Sequence, residues 1–348
     1  MSLRILTVLR NWLRRAVIAV AAFLVIAAAM IAWLLYDRPS LDAVGWIPQA
    51  ESETTSGAVT VTWFGVSTLL FDDGNTQILI DGFFSRPSLA DIVFGIPVDS
   101  DASQINYVLD KFQLRRLAAI IPAHSHFDHA MDIGAIANRS SASILGSETS
   151  AQIARGAGVP EDQIVVVANG AQYSFGEFTV SMFESLHAPI GWGGSTPYAG
   201  SLNEPLQTPA PVSAWKEGGS YSVLVSHPQG TTLVQASAGY VEGDFSNMPV
   251  DVVMLGTFGL DRIGRDYTEN YWRRLVTSTG ASRVFPIHFD DYTRPFGTIE
   301  LFPRILDNFL DTARALEEIR ETWDTDTRIE LPEFGTPIVL YAHDAPEA

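Results

Sequence analysis

Eight residues, Ala123-His124-Ser125-His126-Phe127-Asp128-His129-Ala130, constrain this chain more than any other stretch. Three imidazoles and a carboxylate fall between positions 124 and 129. The apolar run Leu117-Ala118-Ala119-Ile120-Ile121 comes just before, and Pro122 stops it, which predicts a buried β-strand. The cluster then occupies the loop at that strand's C-terminal end. Imidazole suits zinc, iron or manganese, and carboxylate adds a hard anionic ligand. A lone histidine is ordinarily a surface or core residue, but this density of ligands reads as a metal site.

The chain has 348 residues, enough for one large domain or two small ones. It contains no cysteine, which removes disulfides, thiolate ligands and a thiol nucleophile together. Of the net charge of −18, residues 1–40 hold +4 (Arg4, Arg10, Arg14, Arg15 and Arg38 against Asp37), leaving −22 for the remainder. So acidic a body argues against a nucleic-acid partner, because phosphate backbones are met by Lys and Arg. A small molecule or a lipid is the expected substrate.

Residues 16–36 are apolar without interruption by charge, Pro or Gly. As a helix they span roughly 30 Å, the thickness of a bilayer core. Trp33 and Tyr36 sit at the outer end, where aromatic rings favour the interface. Four arginines precede the segment, so the N-terminus is expected in the cytoplasm and the body outside it, periplasmic or extracellular. A cleaved signal peptide is the rival, but its apolar core is typically about 7–15 residues. The chain therefore divides into a basic cytoplasmic segment 1–15, a transmembrane anchor 16–36, a linker 37–57 and one domain over 58–348.

Within that domain, period-two alternation predicts a strand over 58–64. The turn Asp72-Asp73-Gly74-Asn75 predicts a hairpin joining 68–71 to 77–81. Residues 82–104 read as irregular. A short helix is expected near 132–138, strands at 142–146, 164–167 and 178–183, and a helix capped by Ser147 with Ser150 and Gln152 on its polar side. Residues 188–219 form a Gly/Pro/Ser-rich stretch with Trp192, Tyr198 and Trp215, a candidate binding loop. A hairpin (221–226 and 231–235), strands at 250–255 and 283–287, and helices at 267–278 and 302–322 complete an α/β alternation.

His124-x-His126-x-Asp128-His129 resembles the signature of the metallo-β-lactamase superfamily. His187, after the strand 178–185, and His288, at the end of Phe285-Pro286-Ile287, match its later ligands, and Asp81 matches its early aspartate. The resemblance covers roughly residues 58–300 and implies a four-layer αββα sandwich with metal ions at one edge. It assigns His124, His126 and His187 to a first metal, and Asp128, His129 and His288 to a second. Asp128 would also orient the nucleophile, a metal-bound hydroxide. Zinc is the expected ion, one or two per chain, with iron or manganese as alternatives. Asp81 would fix a ligand histidine from behind, or would simply be a polar residue ending its strand. Trp63-Phe64-Gly65-Val66-Ser67-Thr68 and Ala238-Gly239-Tyr240 resemble the branch holding N-acyl-phosphatidylethanolamine phospholipase D and L-ascorbate-6-phosphate lactonase.

One position departs from the family. Where a bridging Asp is usual, this chain has Ser237, within Ala236-Ser237-Ala238. A neutral hydroxyl compensates less metal charge, so one ion should bind weakly or not at all. Glu242 and Asp244 are nearby substitutes. The expected activity is hydrolysis of an ester, lactone or phosphodiester. The alternative is a metal- or ligand-binding protein with a degenerate site. His227 and His343 read as surface residues, and Asp290 and Asp291 as solvated turn residues or pocket lining.

Overall fold

The apolar N-terminal segment forms one helix in the computed structural model, which describes residues 3–46, 57–241 and 245–341. This helix, α1 (Leu3–Tyr36), is 34 residues long, about 50 Å at 1.5 Å per residue. It starts well before residue 16, and Arg10, Arg14 and Arg15 lie on it. From Thr7 to Tyr36 it is long and apolar enough to cross a membrane, and none of it packs inside the protein.

The expected linker is partly fastened. Arg38 pairs with Asp291 at 2.6 Å and donates to the Leu301 carbonyl at 2.8 Å. Ser40 caps a short 3-10 turn, Leu41–Val44. Trp46 Nε1 donates to Glu317 at 3.2 Å. The cause is charge: Asp291 is buried and needs a cation, which Arg38 supplies. Residues 47–56 of that stretch lie outside the described residues.

The first sheet begins with β1 (Thr60–Trp63), β2 (Leu69–Asp72), β3 (Gln77–Ile80), β4 (Leu117–Ile121), β5 (Ser143–Gly146) and β6 (Ile164–Val166). The second holds β7 (Gln172–Phe175), β8 (Phe178–Ser185), β9 (Ser220–His227), β10 (Gly230–Gln235), β11 (Val252–Gly256), β12 (Arg283–Ile287) and β13 (Arg328–Ile329). A last strand, β14 (Pro337–Val339), returns to the first sheet beside β1. Each half runs antiparallel hairpins into parallel strands. The orders are β14-β1-β2-β3-β4-β5-β6 and β13-β12-β11-β10-β9-β8-β7.

Side-chain alternation builds the layers. Ile78 and Ile80 of β3 and Val252 and Met254 of β11 point into the core between the sheets. Their neighbours point outward: Leu79 meets α3 (Ala102–Lys111), α5 (Ile133–Ser140) and α6 (Glu148–Gly156), whereas Val253 and Leu255 meet α7 (Arg265–Trp272) and α8 (Phe309–Trp323). The result is helix, sheet, sheet, helix, the expected αββα sandwich.

Several local expectations change. Residues 82–104 include α2 (Leu89–Phe94), held by a Ser88–Asp91 capping box, and the start of α3, capped by Asp101. The last helix begins at Phe309 rather than 302, because Asp307 is tied to the Gly259 amide at 2.7 Å. Ser147 caps α6 as expected, but Ser150 is fully buried rather than on a polar face. Its hydroxyl lies 2.7 Å from that of Ser125, inside the histidine loop. The stretch 188–219 is mostly irregular, carrying two 3-10 turns, Trp192–Gly194 and Val212–Ala214.

Candidate metal centre

Strand β4 delivers Ala123–Ala130 to one edge of the sandwich, where the loop tightens into α4 (Phe127–Ala130). His187 follows β8 and His288 follows β12, so three strands from both sheets end at the same place. The six side chains gather as two triads. His124, His126 and His187 form one, and Asp128, His129 and His288 the other. In each, the potential ligand atoms lie within 4.8 Å of one another, and five of the six residues are buried.

The second triad is braced from the early hairpins. Asp81 Oδ2 lies 2.8 Å from His129 Nδ1, and Ser67 Oγ donates to the same carboxylate oxygen at 2.6 Å. The other oxygen, Oδ1, accepts the Ala123 amide at 2.8 Å. This leaves His129 Nε2 facing Asp128 at 3.6 Å, with His288 Nε2 on the same carboxylate oxygen at 3.3 Å. His288 has φ +58°, a left-handed backbone, and its amide donates to the Val66 carbonyl at 2.8 Å. Val66 is held in turn: its amide donates to Asp290 at 2.6 Å.

The first triad is braced by loops. His126 Nε2 lies 2.8 Å from the Pro197 carbonyl, and His187 Nδ1 2.7 Å from that of Ala188. Ser237 accepts the Ala188 amide at 3.0 Å. Two glycines make these approaches possible. A Cβ on Gly239 would stand 1.8 Å from the Leu186 carbonyl, beside His187. On Gly65 (φ +85°), it would stand 2.7 Å from Asp290 Oδ2.

The electrostatics fit a cation. Burial pushes His124 well below the ordinary imidazole value, and the neighbouring His129, His126 and His187 push it further. Burial, and then His126, takes His187 down to about 3. Both therefore stay neutral with free lone pairs, the form that binds metal. Burial alone would raise Asp128, but His129 and His288 outweigh it and hold the carboxyl below its usual range. Neutral His124 and His187 beside an ionised Asp128, with His129 raised by Asp81 and Asp128 against its burial, give a donor set suited to divalent first-row metals.

A cavity of about 70 Å³ opens onto both triads. Its walls include Phe127, Ile190, Tyr198, Ser237, Phe258 and Tyr292. Phe258 and Tyr292 gave no signal in the sequence, being isolated aromatics in two separate late loops. Of the residues singled out there, Tyr198 lines the cavity, Trp215 is buried in the outer core and Trp192 is 99% exposed.

Other readings are corrected. His227 is no surface residue: its side chain is 6% exposed, packed on Phe178 and 3.7 Å from Asp73. Asp290 and Asp291 are neither solvated nor in the cavity. They are buried, facing Arg86 and Arg38. Glu242, Asp244 and His343 lie outside the described residues.

This αββα architecture, with a His/Asp cluster where the strands of both sheets end, defines a metallo-β-lactamase-fold protein. Among known proteins, the chain is 26% identical over 272 residues to a UPF0173 metal-dependent hydrolase of Myxococcus xanthus. That match covers 77% of this chain and 84% of the relative. In three dimensions, it resembles the diiron β-hydroxylase CmlA of Streptomyces venezuelae, with a TM-score of 0.53 and 15% identity over 83% of this chain and 55% of that one. Unliganded yeast PDE1 is similar in fold, with a TM-score of 0.50 and 12% identity over 81% and 99% of the two chains. No protein-family model matches the sequence.

Proposed function

We propose that this chain is a metal-dependent hydrolase that cleaves an ester, lactone or phosphodiester bond. The observation that carries the reading is the two triads meeting at one cavity. His124, His126 and His187 would hold one ion, and Asp128, His129 and His288 a second, with zinc favoured by the histidine-rich set. When bound, such ions polarise the scissile oxygen and acidify water.

The chain's own residues do the rest. Asp128, kept ionised, accepts a proton from the attacking water and aims it. Asp81 fixes the His129 ring through Nδ1, leaving Nε2 for the ion. Replacing His126 or His187 by alanine should abolish both metal retention and turnover of generic ester, lactone and phosphodiester substrates. Turnover that survives either change rejects the mechanism.

A second reading has one observation behind it. Ser237, a neutral hydroxyl, stands on the cavity wall beside both triads, where the family has a carboxylate. The site would then bind metal or ligand without hydrolysis.

The remaining assignments belong with this proposal. Residues 16–36 act as an uncleaved anchor, with the N-terminus cytoplasmic and the domain over 58–348 outside the cytoplasm. The hydrophobic length and the arginines of α1 support this. The likeness of Trp63–Thr68 and Ala238–Tyr240 to the phospholipase D and lactonase branch favours a lipid-derived substrate.

A further inference from the structure

The cavity's walls say what kind of substrate fits, given the hydrolase reading on which this inference rests. Beyond the two triads, its sides are Phe127, Ile190, Phe258 and the rings of Tyr198 and Tyr292. No Lys or Arg side chain lines it among the described residues. The nearby cations are occupied. Arg86 is buried against Asp290 and donates to the Phe64 carbonyl at 2.9 Å, and Arg262 lies over the Phe258 ring beside Asp261.

Outside the two triads, the polar groups that face the cavity are neutral. The Tyr198 and Tyr292 hydroxyls have no hydrogen-bond partner among the described residues, and Ser237 uses only its acceptor, towards the Ala188 amide. Sites built for phosphate gather Arg forks, Lys or the amides of a helix N-terminus. Neutral hydroxyls suit a carbonyl or ester oxygen instead. Two exposed apolar side chains, Leu186 at 59% and Trp192 at 99%, bracket the segment from His187 to Ile190. Exposed apolar groups beside a binding pocket mark the course of an apolar ligand.

We infer that the substrate is an uncharged carboxylic ester or lactone with an extended apolar acyl chain. Its carbonyl lies between Tyr198 and Tyr292, and its chain runs out past Ile190 and Trp192. Water oxygen bonds to the carbonyl carbon and the acyl C–O bond breaks. One water proton goes to the departing alkoxide, and the acid product carries the other.

The test uses the full chain in detergent, loaded with zinc or manganese. The probes are p-nitrophenyl acetate and octanoate, p-nitrophenyl phosphate and bis(p-nitrophenyl) phosphate. The octanoate kcat/KM should exceed the acetate value by about tenfold or more, since each buried methylene favours binding about fourfold. Both esters should outrun both phosphates. Trp192→Ala should shrink the octanoate-to-acetate ratio, and Ile190→Arg should raise the phosphodiester relative to octanoate.

Preference for a phosphate ester, or a chain-length ratio that neither variant moves, overturns the inference. If no probe is turned over faster than by His187→Ala, the hydrolase reading falls separately. The pocket is then judged by calorimetry with methyl decanoate. Saturable binding that phenyl phosphate does not displace upholds the apolar site, and no binding rejects it.

Discussion

Ser67 Oγ lies 2.9 Å from His129 Nδ1 and donates to Asp81 at 2.6 Å, although Ser67 and His129 are 62 residues apart. The next residue towards the N-terminus, Val66, holds the backbone of His288 through its carbonyl. One tight loop, Gly65–Ser67, therefore supports two imidazoles of the second triad. It grips one by its ring and the other by its main chain.

Ser67→Ala should loosen this arrangement without emptying the core. Partners behind a ligand histidine typically contribute about 10–100-fold in metal affinity. We expect Ser67→Ala to weaken retention of one ion by about tenfold, and Asp81→Asn by more. Competition with a coloured chelator measures this directly. Affinity equal to wild type in both variants would show that the loop positions nothing.

Ser237 sets the second prediction. As a neutral residue where the metallo-β-lactamase resemblance implies a bridging Asp, it should leave fewer than two tightly held ions per chain after gel filtration. Ser237→Asp adds a carboxylate facing both triads and should raise the count towards two, as read by atomic-emission analysis. The Ala188 amide, which now donates to the serine hydroxyl at 3.0 Å, can donate to the new carboxylate instead. Two tightly held ions in the unaltered protein would contradict the proposal.

How far the sequence reached follows from where each partner lies. The ligand loop is legible because its four ligand residues fall within six positions just after one strand. Strand β1 is legible because alternation is a local property, and β3 because the turn at 72–75 marks its hairpin. Ser150 was misplaced because helix periodicity says nothing of a hydroxyl bonding to Ser125 across the fold. Asp290 and Asp291 read as turn residues or pocket lining because their cations, Arg86 and Arg38, come from about 200 and 250 residues earlier. The cavity's aromatic wall is not legible either: Phe258 and Tyr292 follow β11 and β12, and meet only once those two strands pair.

The Arg86–Asp290 pair offers a third prediction. The Arg86 side chain is 5% exposed and that of Asp290 2%. Removing one member of a buried pair strands the other and typically costs about 3–5 kcal/mol. Arg86→Met should therefore destabilise the domain by roughly that amount in urea unfolding. Arg86→Met with Asp290→Asn should recover part of it. The coupling matters for the site because Asp290 also anchors Val66, and through it His288. An additive double variant would show that the two charges do not interact.

Asp307 gives a pH dependence away from the metal ligands. It is 1% exposed, accepts the Gly259 amide through Oδ1, and leaves Oδ2 without a donor. Asp261 Oδ1 is buried and lacks one too, with the Arg262 guanidinium 3.9 Å away. A single proton between the two carboxyls would satisfy both oxygens. Burial drives Asp307 well above the ordinary carboxylate range, and the charge on Asp261 adds to that. The folded state therefore binds this proton more tightly than the unfolded chain does. The linked stability is fully present below the unfolded carboxylate value, near pH 4, and drains away as pH rises towards the folded value. Asp307→Asn supplies a permanent donor in place of the proton. It should raise the unfolding free energy at pH 7 and flatten its decline between pH 4 and 8. A variant whose stability falls with pH as steeply as wild type would show that Asp307 is ionised in the folded protein.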